Sequence, residues 1–166
     1  MVPRQRPRTK RRLQLALAFG AGAVPLVLAA CGGTSSSAAA GSNTPTTVDS
    51  RQTTLGSIIT DGNGMSVYLF EKDTGHSSTC YDACAATWTP VTTAGAPKAG
   101  PGTMASLLGT TKRTGGATQV TYAGHPLYFF TGDQKPGDVT GQGSQTFGAG
   151  WDALRPTGQK VESGGN

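Results

Sequence analysis

The sequence predicts a mainly β fold: a small antiparallel sandwich or barrel-like domain built from two pseudo-symmetric repeats, with one or two short helices. Three observations lead to this prediction. The chain has 25 glycines in 166 residues and only 14% charged residues, which is typical of short strands joined by turns. Short apolar runs are separated by Asp-Gly and Asn-Gly dipeptides, which favour hairpins. In addition, one aromatic and acidic pattern occurs twice.

The first predicted element is an export signal at residues 1–30. Six of the 14 basic residues precede an apolar run from Leu13 to Ala30, which Gln14, two glycines and Pro25 interrupt. This arrangement is typical of a secretory signal, whereas a membrane-spanning helix needs about 20 predominantly apolar residues. An uncleaved anchor helix is the alternative, and a pair of arginines before the run leaves twin-arginine export open.

The end of the apolar run indicates a lipid anchor. Leu28-Ala29-Ala30-Cys31 resembles the lipobox of bacterial lipoproteins, in which the cysteine is lipidated on sulfur and becomes the first mature residue. Stable anchoring needs more than one acyl chain, which a lipoprotein cysteine carries. We therefore expect Cys31 to hold an exported protein on the outer face of the cell membrane.

The net charge of +5 does not predict a nucleic-acid partner, because the excess of basic residues belongs to the export signal. From residue 31 to residue 166 there are eight Lys or Arg and nine Asp or Glu, so the charge is 8 − 9 = −1. Binding to phosphates needs clustered cations, which this part of the sequence does not contain. We expect no nucleic-acid partner.

Residues 31–51 are predicted to form a flexible tether rich in Ser, Ala, Gly and Thr. Only Val48 in this segment is of the type usually buried, so apolar contacts cannot offset the entropy lost on ordering. A single duplicated domain is expected at residues 52–160, with repeat one at about 53–95 and repeat two at about 116–158. Residues 161–166 are predicted to be a disordered tail.

The two repeats share a Tyr-x-Phe-x-x-Asp signature followed by a tryptophan. Gly64–Phe70 aligns with Gly124–Phe130, and one period with several shared landmarks indicates a duplicated module with pseudo-twofold symmetry. The signature residues are Tyr68, Phe70, Asp73 and Trp88 in repeat one, and Tyr128, Phe130, Asp133 and Trp151 in repeat two.

The sequence of each repeat also predicts a strand, a turn and a second strand. In repeat one the strands are 57–60 and 65–70, and in repeat two they are 119–122 and 126–131. Side chains alternate along a strand, so Tyr68 and Phe70 share one face while Val67 and Leu69 share the other. Because both faces are apolar, we expect these strands inside the domain. Short helices are predicted at 81–86 and 104–108.

These residues carry a resemblance to a known family. The chain resembles bacterial lipoproteins that are defined by a repeated Tyr-x-(Phe/Trp/Tyr)-x-x-Asp motif and described as secreted repeats of unknown function. The resemblance covers nearly all of residues 52–160. Its matching segments are Cys80–Cys84, Trp88–Pro90, Gln119–Tyr122, His125–Tyr128 and Pro136–Asp138. The family implies a lipid-anchored surface protein, and it brings no substrate or catalytic residues with it.

The cysteines predict one disulfide. With Cys31 assigned to lipid, Cys80 and Cys84 remain as a pair in a compartment where thiols oxidise. The alternative is a copper, zinc or redox site, because His76, Cys80 and Cys84 are four residues apart and would lie on one helical face. No clear fourth ligand accompanies them, so we expect neither a metal nor a cofactor.

The two signature aspartates have a structural and a catalytic interpretation. Asp73 and Asp133 each follow a strand by three residues and precede a turn, where aspartate commonly accepts backbone N–H bonds. The alternative is a pair that acts as general acid and base. Only His76 and His125 could support nucleophilic catalysis, and the sequence has no Gly-x-Ser-x-Gly motif.

The resulting functional prediction is a non-enzymatic structural or interaction module whose protein or glycan partner is unknown. Packing in the core is the default role of the repeated aromatic residues. The alternative is a binding protein for a small molecule or an envelope glycan, which would expose both tryptophans in a cleft.

Overall fold

The structure is a computed structural model, and it describes residues 44–162. The predicted signal at 1–30, the lipidation site Cys31 and most of the predicted tether lie outside these residues. Within them the fold is mainly β, as predicted, with three sheets, one short α-helix and two 3₁₀ turns.

Ten short strands form the sheets. The strands are β1 (Thr47–Thr53), β2 (Gly56–Asp61), β3 (Tyr68–Phe70), β4 (Trp88–Pro90), β5 (Lys98–Ala99), β6 (Leu108–Lys112), β7 (Thr118–Tyr122), β8 (His125–Pro126), β9 (Tyr128–Phe130) and β10 (Trp151–Ala153). The helix predicted at 81–86 is α1 (Ala83–Thr87). The helix predicted at 104–108 is a 3₁₀ turn, Ala105–Leu107, and a second 3₁₀ turn spans Thr146–Gly148.

Each repeat begins with an antiparallel hairpin. β1 pairs with β2 along its length, and β6 pairs with β7 in the same way. The sheet therefore begins at Thr47, which corrects the predicted tether, because residues 47–51 belong to β1. Val48 is 1% exposed, so one buried valine and a full ladder of backbone hydrogen bonds hold a strand that has little apolar patterning.

The C-terminal boundary of the domain also differs from the prediction. The sequence predicts a disordered tail that includes Val161, but this side chain is 4% exposed and packs in the same cluster as Trp151. Its backbone N–H donates to the Ala153 carbonyl at 2.7 Å. The ordered domain therefore continues beyond residue 160, because a buried side chain and a backbone hydrogen bond fix this segment.

The turns that follow β2 and β7 differ between the repeats. In repeat two, Ala123 and Gly124 have φ of 49° and 86°, the left-handed values of a two-residue hairpin turn. The turn of repeat one has one more residue, and its Asp61 carboxylate accepts the backbone N–H groups of Asn63 (3.0 Å) and Met65 (2.8 Å). After the turn of repeat two, β8 pairs briefly with β7 before the chain enters the central sheet as β9.

The central sheet interleaves the two repeats. Its strand order is β10-β3-β9-β4, so strands of repeat two and repeat one alternate across it. Tyr68 lies opposite Tyr128 at the centre, which places the pseudo-twofold axis between them. Each tryptophan strand pairs with the signature strand of the other repeat, with Trp151 opposite Phe70 and Trp88 opposite Phe130.

The two faces of the signature strands contact different hydrophobic clusters, as the alternation predicted. Tyr68 and Phe70 pack in a cluster that contains both tryptophans and both cysteines. Val67 and Leu69 pack in a second cluster against the hairpins. The members of the second cluster are Val48, Ile59, Val67, Leu69, Val91, Val120, Tyr122, Leu127 and Leu154. Both faces are buried, so these strands lie in the interior of the domain.

Candidate functional site

The signature tyrosines and aspartates form two hydrogen-bonded pairs, and each pair joins the two repeats. The Tyr68 hydroxyl donates to Asp133 Oδ2 at 2.7 Å, and the Tyr128 hydroxyl donates to Asp73 Oδ2 at 2.6 Å. The antiparallel pairing of β3 with β9 produces this exchange, because it directs each tyrosine toward the loop that follows the other signature strand.

The second oxygen of each aspartate holds the loop that follows it. Asp73 Oδ1 accepts the backbone N–H and the hydroxyl of Thr79 at 2.7 and 2.8 Å. Asp133 Oδ1 accepts the same two groups of Thr140 at 2.9 and 2.6 Å. The prediction that both aspartates cap turns is therefore confirmed. The Tyr-x-Phe-x-x-Asp signature does not include the two threonines, although a threonine follows each aspartate by six or seven residues and is a detectable signal.

The Tyr128 pair has an additional polar partner, Ser78, which no sequence pattern indicates. Ser78 Oγ lies 2.7 Å from the Tyr128 hydroxyl and 2.7 Å from Arg113 Nη1. A phenol has one proton to donate, and Tyr128 uses it in the hydrogen bond to Asp73. The hydroxyl of Ser78 is therefore the donor to the phenol oxygen. A chain of hydrogen bonds thus runs from a guanidinium to a carboxylate.

Arg113 is the buried cation at the start of this chain, since it is only 9% exposed. It also donates to Gln119 Oε1 at 2.7 Å and to the Cys80 carbonyl at 2.6 Å, and it lies 4.5 Å over the Tyr81 ring. These contacts replace hydration of the charge. Nothing in its local sequence distinguishes Arg113 from an exposed arginine, because its acceptors come from other elements.

Repeat two has a simpler equivalent of this chain. The Gly141 backbone N–H donates to the Tyr68 hydroxyl at 3.4 Å, where repeat one uses Ser78. Burial raises the pKa of both signature tyrosines above the ordinary value of 10.0, and the hydrogen bonds to Asp133 and Asp73 raise these pKa values further. Both phenols therefore keep their protons at neutral pH.

The two tryptophans lie against each other in the core. Their ring centroids are 3.9 Å apart with an interplanar angle of 5°, and both residues are 0% exposed. Phe70 stacks on Trp151 at 4.1 Å, and Phe130 packs on Trp88 at 4.4 Å. The Nε1 atoms of both tryptophans donate to Thr146, one to its hydroxyl and one to its carbonyl. A glycan-binding surface therefore cannot use these rings.

Cys80 and Cys84 form a disulfide across the start of α1, which confirms the predicted pair. The bond occupies both sulfur atoms, so the alternative set of His76, Cys80 and Cys84 has no thiolate in this structure. His76 is exposed and lies against Gly124 in the turn of repeat two. Between residues 44 and 162, no group of three or more His, Cys, Asp or Glu side chains could hold a metal ion.

Asp73 and Asp133 have different surroundings. Asp133 is 7% exposed, whereas Asp73 is half-buried and lines a cleft of about 710 Å³ together with Phe70 and His125. Burial lowers the pKa of His125, so its imidazole is neutral at pH 7. Lys160, also in the cleft, lies 2.6 Å from Glu71. Asp73 and Asp133 thus belong to two separate tyrosine–aspartate pairs.

Comparison with known proteins gives a matching family model. A family model described as a secreted repeat of unknown function matches residues 50–92 and 109–155, which overlap the two predicted repeats. Comparison with curated proteins and with solved structures gives no match. In the part of the chain that the structure describes, no helix has the length and apolar character to cross a membrane. The chain therefore belongs to the family of secreted repeats of unknown function, and it contains two copies of that repeat.

Proposed function

We propose that the protein is a lipid-anchored module on the outer face of the cell membrane that acts through interaction and not through catalysis. The observation that carries the proposal is the location of the signature. Tyr68, Tyr128, Trp88 and Trp151 are all 0% exposed, and the tyrosine–aspartate bonds join one repeat to the other. A catalytic group must contact its substrate, whereas these side chains contact each other.

The anchoring part of the proposal is supported by position and by family. Cys31 lies 16 residues before the first strand, which starts at Thr47, so the anchor would be close to the domain. The family description as a secreted repeat agrees with export. Export of the domain also agrees with its disulfide, since disulfides persist in oxidising compartments.

The substitution Asp133→Asn tests the structural role of the signature. It replaces a buried carboxylate that accepts three hydrogen bonds, so we expect the free energy of unfolding to fall by about 1 to 3 kcal/mol. Urea denaturation measures the change. Asp82→Asn is the matched control, because Asp82 is exposed and has a φ of 51° that asparagine adopts readily. Equal stability of Asp133→Asn and the unsubstituted protein would contradict the proposal.

The intact mass of protein extracted from its own membrane tests the anchor. We expect a chain that begins at Cys31 and carries the added mass of its acyl groups. In Cys31→Ser this acyl mass should be absent, whereas a Cys84→Ser control should keep it. A chain that retains residues 1–30 and carries no acyl mass would show that the apolar run is an uncleaved anchor.

A further inference from the structure

The strand β6 is an outer strand of its sheet, and the backbone groups on its free side are open. It pairs with β7 along its length, and just beyond its end the Arg113 N–H donates to the Ala117 carbonyl at 2.9 Å. Opposed residues of an antiparallel pair alternate between hydrogen-bonded and non-hydrogen-bonded, so the N–H and C=O groups of Thr110 and Lys112 point away from β7. No residue between 44 and 162 hydrogen-bonds to these groups.

The other outer strands are covered, short or without a free donor. On β2 the Ile59 N–H donates to the Leu154 carbonyl at 2.8 Å, and on β10 the Trp151 N–H donates to the Ser144 carbonyl at 2.9 Å. In β4, Pro90 has no N–H. The strands β5 and β8 have two residues each. Within residues 44–162, β6 is therefore the longest strand that leaves an edge open to another chain.

A cleft of about 550 Å³, here called the edge cleft, lies along the first part of β6. Its lining includes His76, Leu107, Leu108, Gly109, Thr121 and Ala123. Gly109 and Thr121 lie opposite each other and share one face of the sheet. On a strand added to the free side, the residue opposite Gly109 would belong to a non-hydrogen-bonded pair, in which side chains approach most closely. Because Gly109 has no side chain and its neighbours are partly apolar, an aliphatic side chain fits there.

Lys112 gives the open edge a positive charge that no carboxylate neutralises. Its Nζ donates to the Thr118 hydroxyl at 2.7 Å, and among residues 44–162 it makes no ion pair. Neither β6 nor the lining of the edge cleft contains Asp or Glu. Pairing with β6 of a second copy would bring another Lys112 and no carboxylate, which disfavours that occupant. A carboxylate on the added strand complements the charge of the edge.

We propose that β6 binds an extended segment of a partner protein as an added antiparallel strand, with a carboxylate opposite Lys112 and an aliphatic side chain opposite Gly109. In this register the aliphatic residue follows the acidic residue by three positions. The backbone of Thr110 exchanges hydrogen bonds with the residue between them that lies opposite it, so main-chain bonds supply affinity and the two side chains supply specificity. This site rests on the proposed interaction role, for which it names the chemistry of the partner.

Titration of the full chain, labelled with nitrogen-15, with the peptide acetyl-Glu-Thr-Thr-Val-Thr-amide tests the proposal by nuclear magnetic resonance. We expect the amide signals of Thr110 and Lys112 to move, with a dissociation constant of about 1 mM or tighter. Lys112→Gln should weaken binding by about two- to fivefold, because an exposed ion pair is lost. Lys98→Gln is the matched control, since Lys98 is also an exposed strand lysine but lies in another sheet.

A modified peptide keeps the test independent of the folding of any variant. N-methylation of the peptide residue opposite Thr110 removes one main-chain donor, so binding should weaken by about threefold or more. The proposal would be overturned by unmoved Thr110 and Lys112 signals, or by equal binding of the methylated and unmethylated peptides. Movement of the same signals on concentrating the protein alone would also overturn it, because the occupant would then be a second copy. Such failures leave the lipid anchor and the signature unaffected, since intact mass and Asp133→Asn test these separately.

Discussion

Single hydrogen bonds couple the two repeats at the residue scale. The hydroxyl of each signature tyrosine donates a hydrogen bond to an aspartate of the other repeat. That aspartate also accepts a hydrogen bond from a threonine in the loop that follows it. Loss of one partner leaves a buried polar group without its bond, which costs more than the bond itself contributes. The pair that contains Asp133 is the more buried of the two, so it should be the more sensitive to substitution.

Alkaline pH should destabilise the fold through these tyrosines. The folded-state pKa values of Tyr68 and Tyr128 lie above the ordinary value of 10.0, so the unfolded chain loses its phenol protons first. Below pH 10 the two tyrosines contribute their full stabilisation to the folded state. As pH rises above it, the free energy of unfolding should fall by about 1.4 kcal/mol per pH unit for each tyrosine.

Urea denaturation at several pH values measures this loss. The double variant Tyr68→Phe/Tyr128→Phe should show a shallower decline. Tyr81→Phe should decline at least as steeply as the unsubstituted protein, because hydrogen bonds with Thr114 lower the Tyr81 pKa. Identical declines in all three proteins would show that Tyr68 and Tyr128 do not cause the loss of stability at alkaline pH.

At the scale of elements, the two repeats use different loops against the same aromatic core. Repeat one follows its threonine, Thr79, with Cys80, whose disulfide to Cys84 fixes the turn into α1. Repeat two follows Thr140 with Gly141, which has no side chain and approaches the core closely. A methyl group at Gly141 would lie 2.8 Å from the Trp88 ring and 3.0 Å from the Tyr68 ring. The backbone therefore packs directly on the aromatic rings.

Gly141→Ala should reduce stability by about 1 to 3 kcal/mol, because the added methyl group overpacks the core. Thermal denaturation or urea denaturation measures this effect. Gly95→Ala is the matched control, since a methyl group there would lie 3.8 Å from Pro45 at an exposed site. If both substitutions have the same small effect, Gly141 does not pack on the rings in the way the structure describes.

At the scale of the whole domain, the interleaved central sheet makes neither repeat complete by itself. β3 of repeat one lies between β10 and β9 of repeat two, and β9 lies between β3 and β4 of repeat one. A separated repeat would lose every strand neighbour of its signature strand in this sheet. The tryptophan pair would also be divided. The family duplication is therefore a structural requirement of this domain.

Two fragments, residues 44–103 and 104–162, should each be unfolded alone and should fold when mixed. The near-ultraviolet circular dichroism of the tryptophan pair reports folding, because that pair exists only when both fragments are present. The cut at Met104 lies in an exposed region, since this side chain is 49% exposed. A fragment that alone gives this signal would disprove the requirement for both repeats.

The sequence by itself determined the β class, the duplication, the Cys80–Cys84 disulfide and the capping role of Asp73 and Asp133. These features follow from local patterns: alternation along a strand, residue spacing, and the turn chemistry of aspartate. It did not reveal where β1 begins, because that strand is held by backbone pairing more than by apolar residues.

Only the tertiary structure decided which tyrosine meets which aspartate. Both copies of the signature have the same local sequence, so Tyr68 has an equally suitable carboxylate in Asp73 and in Asp133. The antiparallel meeting of β3 with β9 selects the second. The burial of Arg113 was decided in the same way. Contacts between distant segments depend on how strands pair across the whole domain, and that pairing has no signature within a short window of sequence.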